Sequence, residues 1–443
     1  PVPSQQRPPV PPSAAVPPPA DATLPPLPGT GPLSPYLSGQ PGVDTGAPQR
    51  MLPALPPSDA VRVAFLAPLT GPNAGLGQAM LNAAQLAVFD FAGSKFELLV
   101  HDTAGTPEGA AEAAAVAIAD GASLILGPLL STSVEAVAPA ARAAGVPVIA
   151  FSSRRAVAGD GVYTLGFLPS EQVRRVANFA LNRGVTRFAA LAPDTEYGRV
   201  VTAALQQVVE GAGGTVTRVL FYDPAETDFA PVVKDLADYD RRARALETQR
   251  AVLRARGDVL SKRALARLKN LDTIGDLPFQ ALLLPDGGKR LQAVAAHLPF
   301  YDIDPAKVHM LGTGRWDTPG LGAEPALLGG WFAAPPLAAR EEFQAQYAGV
   351  YGAAPPRLAT LAYDAAALAA VLAQGDGARD EATGLPRPDF SHATLTDPAG
   401  YYGRDGVFRF LDDGTAERGL AVMEVGDHMN TVLSPAPETF TVN

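Results

Sequence analysis

Cysteine is absent from the 443-residue chain. That excludes disulfides, thiolate metal ligands and cysteine nucleophiles, and it leaves the redox compartment open. Long apolar runs are missing too: 47% of the residues are hydrophobic, much of that alanine, yet no run approaches the roughly 18 residues a membrane-crossing helix needs. Basic charge is in short supply. Lys and Arg number 35 against 45 Asp and Glu, for a formal net charge of -10, so a nucleic-acid partner, which favours a basic face with interleaved aromatics, is not expected. The five histidines, His101, His297, His309, His392 and His428, share no metal-ligand spacing. No Gly-x-Ser-x-Gly elbow, phosphate loop or dinucleotide fingerprint occurs. The carboxylate pair Asp412-Asp413 falls in a turn signal, which gives general acid-base work no motive. These absences favour a binding protein over an enzyme, with no cofactor and no metal.

Proline is what the chain has in excess. It fills 19 of the first 57 positions, and a residue with fixed φ and no amide donor builds neither helix nor sheet interior. Residues 1–58 are therefore expected to form a disordered, partly polyproline-II tether, with a ceiling of roughly 180 Å at about 3.1 Å per residue. An inert tail and a ligand for a proline-binding adaptor are the competing readings. The chain starts at Pro1 rather than Met, so removal of a signal sequence, with a lipidated cysteine just upstream, is part of the same expectation.

From Val61 onward, strand and helix patterns alternate. The run Val61 to Leu66 reads as a buried parallel strand, closed by Pro68-Leu69-Thr70-Gly71-Pro72 and followed by a helical pattern from Gln78 to Phe91. Strands at 96–100, 124–126 and 148–151 and helices at 107–119 and 131–144 complete a first series. A second has helices at 171–183, 197–212, 229–236 and 291–298 and strands at 188–192, 216–221, 281–284 and 308–311. Such alternation implies right-handed crossovers and parallel sheets covered on both faces. The length suits two lobes of roughly 100 to 200 residues each. The expected fold class is α/β, two doubly wound parallel-sheet lobes joined by a hinge. Helices at 340–351 and 361–374 have no neighbouring strands, which places the first lobe at 59–167 and 337–402. The second takes 168–336 and 403–443, closed by a strand, turn and strand over 406–425, and is interrupted by a basic helical insertion at 237–276.

Open α/β sheets take ligands beyond the carboxyl ends of their strands, where loops lead into helix N-termini. The first lobe offers Thr70 and Asn73, then Ser131 and Thr132, then Ser152, Ser153 and Arg154. Ser131 reads equally as a helix N-cap. Arg154 suits an anionic or carbonyl-rich ligand, with a surface ion pair as the competing role. The second lobe offers Tyr197, Asp286, Arg315 and Trp316, the tryptophan either lining a cleft or packing in a core. Between 241 and 270, ten basic residues stand against two acidic ones, with apolar residues every three or four positions, as on an amphipathic helical hairpin. Arg241, Arg242, Arg250, Arg254, Arg256, Lys262, Arg263 and Arg267 are candidates for docking an acidic partner or polyanionic glycan, a solvated structural excursion being the alternative.

From about 61 to 425 the chain resembles leucine/isoleucine/valine-binding periplasmic proteins and, within them, the bacterial penicillin-binding protein activators. The residues that carry this are Ala67-Pro68-Leu69-Thr70-Gly71-Pro72, Gly127-Pro128-Leu129, Gly145-Val146-Pro147-Val148-Ile149-Ala150-Phe151-Ser152, Tyr163-Thr164-Leu165-Gly166-Phe167 and Tyr197-Gly198. The first three blocks are general to the superfamily; the Ala-Phe-Ser and Leu-Gly-Phe stretches and the charged insertion point to the activators. The resemblance implies the type I periplasmic-binding-protein fold and a non-enzymatic regulator, an outer-membrane lipoprotein whose body reaches a penicillin-binding protein, membrane attachment coming only through the N-terminal lipid. Its rival is a solute receptor of an ABC transporter for an amino-acid-like or anionic small molecule. Amino-acid receptors of this type hold the ligand carboxylate with a hydroxyl, which Ser131 would supply, and with a threonine whose place falls on Arg154. Their aromatic residue near Gly287 and their acid near Thr313 and Gly314 have no counterpart here. A desolvated, unpaired ammonium costs several kcal/mol, so a zwitterionic ligand is disfavoured.

Overall fold

The computed structural model describes residues 60–318, 320–375 and 388–440, and the expected tether at 1–58 lies outside them. Five short apolar segments form the first sheet: β1 (Val61–Ala67), β2 (Phe96–Asp102), β3 (Leu124–Leu126), β4 (Val148–Ala150) and β5 (Val162–Thr164). They lie parallel in the order β2-β1-β3-β4-β5, with Val61 opposite Phe96 and Ala67 opposite Asp102. Helices α1 (Ala74–Phe91), α2 (Pro107–Ala119) and α3 (Ser131–Ala144) make the crossovers. Thr106 starts α2 by accepting a hydrogen bond from the Gly109 amide, ahead of Pro107 in the first turn, where its missing donor costs nothing. Gly127, at φ +93°, ends β3 so close to β1 that a Cβ there would lie 2.1 Å from the Leu66 carbonyl oxygen.

The second lobe begins with α4 (Pro169–Asn182) and continues through β6 (Arg187–Pro193), α5 (Glu196–Gly211), β7 (Thr215–Tyr222) and α6 (Ala230–Leu236). The basic insertion follows as two helices, α7 (Tyr239–Arg256) and α8 (Val259–Leu268). The chain then re-enters the sheet through β8 (Ala281–Leu283), α9 (Gly288–His297), β9 (His309–Gly312) and β10 (Trp331–Ala334). All five of these strands are parallel. Sequence patterning did not anticipate β10, a four-residue buried run between Gly329-Gly330 and Pro335-Pro336.

The chain next returns to the first lobe. Helices α10 (Leu337–Tyr351) and α11 (Ala359–Leu372) bring Phe343, Tyr347 and Leu361 into the same buried cluster as Phe65 and Met80. A small antiparallel sheet of β11 (Tyr401–Gly403), β12 (Gly406–Phe410) and β13 (Ala416–Arg418) corrects the expected boundary. The segment 406–418, assigned by its pattern to the second lobe, buries Phe408, Phe410 and Ala416 in the first-lobe core. Phe410 lies 5.3 Å from Tyr163, and Thr415 bridges Thr164. Only β14 (Ala421–Glu424) and β15 (Thr431–Ser434) cross back, both antiparallel to their neighbours on the β10 edge.

The first and last passes between the lobes meet at a buried charged cluster. The Arg418 guanidinium donates to the Leu165 carbonyl at 2.8 Å and lies 4.8 Å from the Phe167 ring. Arg357 stands over the other part of that ring at 4.3 Å and pairs with buried Asp405 at 2.8 Å. Asp364 accepts from the Arg404 amide at 2.7 Å. Burial first, and the neighbouring Asp405 carboxylate second, push Asp364 up to about 7 from 3.8. The fold thus favours the protonated form over the ionised one. This contribution is complete below the unfolded value of 3.8 and is lost as the pH rises through about 7. The melting temperature of the wild-type chain should therefore carry a downward slope between about pH 4 and 7 that Asp364→Asn flattens, as thermal melts across that range would read.

Candidate functional site

The carboxyl ends of both sheets face a gap between the lobes. A groove of about 940 Å³ runs along it, lined by Ser131, Ser153, Arg154, Arg174, Tyr197 and Gln207 among others. Nearer the hinge lies a pocket of about 230 Å³ bounded by Ser153, Phe167, Gln172, Tyr197, Arg315 and Arg357. Ser131, Ser153, Arg154, Tyr197 and Arg315 are thus brought together from loops far apart in sequence. Phe167, Gln172 and Arg357 join them without having been singled out. They come from the first crossover, a helix interior and the loop before α11, where no ligand-loop signal exists.

Several candidates are engaged by the protein itself. Ser131 is the first residue of α3 rather than its cap; the cap position is Leu130, whose side chain accepts nothing. The capping alternative therefore falls, and the Ser131 hydroxyl is left to the groove. Thr132, on the same turn, is exposed and lines neither cavity. Thr70 donates its hydroxyl to Asp102 at 2.6 Å, and the same carboxylate takes the amides of Leu69, Thr70 and Ala104. Although desolvation opposes it, these bonds hold Asp102 below its ordinary range. Thr70 and Asn73 thus belong to an internally organised loop and line neither cavity. Ser152 is buried and accepts the Arg154 amide at 3.2 Å.

Arg154 holds Glu135 of α3 at 3.2 Å and Glu196 of α5 at 3.4 Å. One guanidinium therefore ties the two lobes together across the groove. In the second lobe the Tyr197 hydroxyl shares a hydrogen bond with Thr313 at 2.8 Å, and the Arg315 guanidinium stacks 3.8 Å above the Tyr197 ring. Asp286 is enclosed by the Tyr222 hydroxyl at 2.5 Å, Arg290 at 2.5 Å and the Gly287 amide at 2.8 Å. Burial works to raise its pKa, but Arg290 and Tyr222 outweigh it and keep the carboxyl below the usual range. Asp286 is a framework carboxylate, and Asp317 is likewise taken by Arg340.

Trp316 corrects the cleft reading. It is 0% exposed, its indole N–H donates to the Leu284 carbonyl at 3.1 Å, and its ring lies so near Gly312 that a Cβ there would come within 2.1 Å. Trp316→Ala should cost about 3–5 kcal/mol in urea unfolding, the penalty of emptying a core aromatic site. A loss under about 1 kcal/mol would return the ring to the cleft.

The basic insertion divides in the same way. Arg242 is 8% exposed, donates to the Gly275 carbonyl at 3.2 Å and lies 3.4 Å from Asp302. Arg250 pairs with Glu247 and caps the end of α8 through the carbonyls of Leu268, at 2.7 Å, and Leu271, at 2.9 Å. These two were expected on a docking face and are instead structural clamps, because each finds unsatisfied carbonyls within reach of its stem. Arg241 is exposed but paired with Asp238. Arg254, Arg256, Lys262, Arg263 and Arg267 are exposed.

A family model described as periplasmic binding protein matches residues 60–429. The chain belongs to the periplasmic binding protein family. Its two-lobed architecture is the type I fold of that family. Among solved structures, a branched-chain amino acid ABC transporter protein from Rhodospirillum rubrum superposes with a TM-score of 0.66 at 18% identity, covering 84% of this chain and 100% of that one. The C-domain of LpoA (YraM) from Haemophilus influenzae, a regulator of PBP1A, superposes with a TM-score of 0.58 at 17% identity, covering 84% and 99%. Protein RP748 of Rickettsia prowazekii is 22% identical over 258 residues, 58% of this chain; the match spans only 61% of that curated relative's length.

Proposed function

We propose that this chain is a non-enzymatic periplasmic regulator whose folded body binds a penicillin-binding protein and favours the active state of that peptidoglycan synthase. The observation that carries the reading is the internal neutralisation of the cleft. Glu135 and Glu196 are held by Arg154, Asp286 by Arg290 and Tyr222, and Asp317 by Arg340. Each carboxylate lining the groove or the hinge pocket, Glu196 and Asp317, already has an arginine partner, so the ammonium of an amino acid would have to compete for it, the fold's usual use is disfavoured and binding moves to the outside. The likeness to the LpoA C-domain supports the same reading at the level of fold. The proline-rich segment and a lipid on its N-terminal side would serve as the tether.

A second reading has its own support. Arg315 and Arg357 enter the hinge pocket beside Ser153, a set that would hold a carboxylate without an ammonium, as in a solute receptor for an anionic small molecule.

Two measurements separate the readings. Adding the purified chain to a peptidoglycan synthase of the same organism should raise its rate of glycan polymerisation or cross-linking; a synthase that neither binds nor responds overturns the first reading. A panel of organic acids screened by thermal shift addresses the second. A ligand at 100 times its dissociation constant should add about 2.7 kcal/mol of stability, and the gain should vanish in Arg357→Ala.

A further inference from the structure

The basic insertion ends in an unusual surface. Helix α7 closes on Gly257 at φ +66°, and Asp258 opens α8 by turning its carboxylate onto the Ser261 amide at 2.7 Å. The only acid of this turn is thereby spent on capping. Beyond Arg242, which is tied to Gly275 and Asp302, α7 runs fourteen further residues, or about 21 Å. On that outer stretch, Leu253 and Ser261 are buried. Three aliphatic side chains at the turn are not: Val252 is 47% exposed, Val259 66% and Leu260 74%. Arg254 and Arg256 from α7 and Lys262 and Arg263 from α8 stand exposed beside them in sequence.

A hairpin that had only to be soluble would carry polar residues at its end. Here exposed aliphatics alternate in sequence with exposed cations, on the one strongly basic segment of a chain whose net charge is -10. The turn contains no aromatic residue, whereas anchors of protein interfaces are enriched in Trp, Tyr and Arg seated in pockets. Cations contributed by both helices, with aliphatics between them, match instead a broad surface that is anionic above and apolar beneath. Such a surface repels the acidic body and attracts the tip, so the charge distribution alone orients the approach. Among the described residues no helix is long and apolar enough to cross a membrane, which leaves contact at the interface.

We infer that the tip of the α7–α8 hairpin is a membrane-surface contact, seating Val252, Val259 and Leu260 among the headgroups of an anionic bilayer with Arg254, Arg256, Lys262 and Arg263 on the surrounding phosphates. It stands independently of the synthase reading.

Sedimentation of the unlipidated full chain with vesicles tests it. Binding to vesicles of phosphatidylglycerol and phosphatidylethanolamine is expected at low salt, weakening as salt rises, with little binding to phosphatidylcholine alone. Each cation near an anionic surface strengthens partition roughly fivefold, so R256E/K262E/R263E should reduce binding more than a hundredfold. V259D/L260D should reduce it by more than about 25-fold with the cations intact, the two added anions and the lost aliphatics acting together. All five positions are exposed, and unchanged circular dichroism and melting would confirm that the variants fold. Failure to bind the anionic vesicles, or binding unaffected by V259D/L260D, overturns the inference. So does a result in which both variants bind vesicles normally but lose a synthase, which would assign the tip to a protein groove.

Discussion

Everything in this molecule is arranged around one guanidinium kept from water at the junction of its lobes. Arg418 begins the last pass between lobes, holds the first pass through the Leu165 carbonyl, and rests against Phe167 and Phe408. A charge so placed must be answered nearby, and Asp405 and Asp364 both lie close enough to act on it. Two acids and two arginines do not balance simply, because Asp364 is buried and sits beside another carboxyl, while Asp405 has Arg357 as its direct partner. Asp364 yields its ionised form first. Arg357, which pairs with Asp405, also reaches the hinge pocket. The floor of the cleft and the pivot of the lobes are therefore parts of one electrostatic unit.

The two-lobed α/β plan was legible because buried parallel strands such as Val61–Ala67 and Arg187–Pro193 announce themselves as apolar runs followed by helical periodicity. Trp331–Ala334 was not legible, since four apolar residues between glycines and prolines are too few to show a period. Nor was the allegiance of Gly406–Phe410, because an alternating pattern declares that one face is buried without saying against which core. The site was half visible for a related reason. Residue type and position at a strand end identified Ser131, Ser153, Tyr197 and Arg315, but neither reveals whether a neighbour has already consumed the group. Asp286, Thr70 and Trp316 carry the right chemistry at the right loop ends and spend it within the protein. Among the basic residues, composition made the stripe plain, while the inward turn of Arg242 and Arg250 depends on carbonyls that only the folded hairpin presents.

The contact that closes the groove is weak by comparison with the hinge. Arg154 and both of its acidic partners are solvent-exposed, and pairs of that kind contribute at most about 1 kcal/mol. It biases the lobes toward each other without locking them, so a ligand or a partner surface that competes for Arg154 has little to overcome. The buried cluster at the pivot, by contrast, must persist whichever way the lobes lean, because separating its charges would leave them unanswered where water does not reach.

The order in which the first lobe is completed has a consequence for how the chain acquires its shape. Phe65 and Met80 belong to a core that is finished only by Phe343, Leu361, Phe408 and Phe410. A chain made from its N-terminus has to synthesise the second lobe as far as β10 before the first of those residues exists. Until then one face of the first sheet and the inner side of α1 lack their cover, and an uncovered apolar sheet is an invitation to mispair. The lobe that begins first in sequence is thus completed only near the end of the chain, and the interval between the two events is when the nascent protein most depends on being shielded.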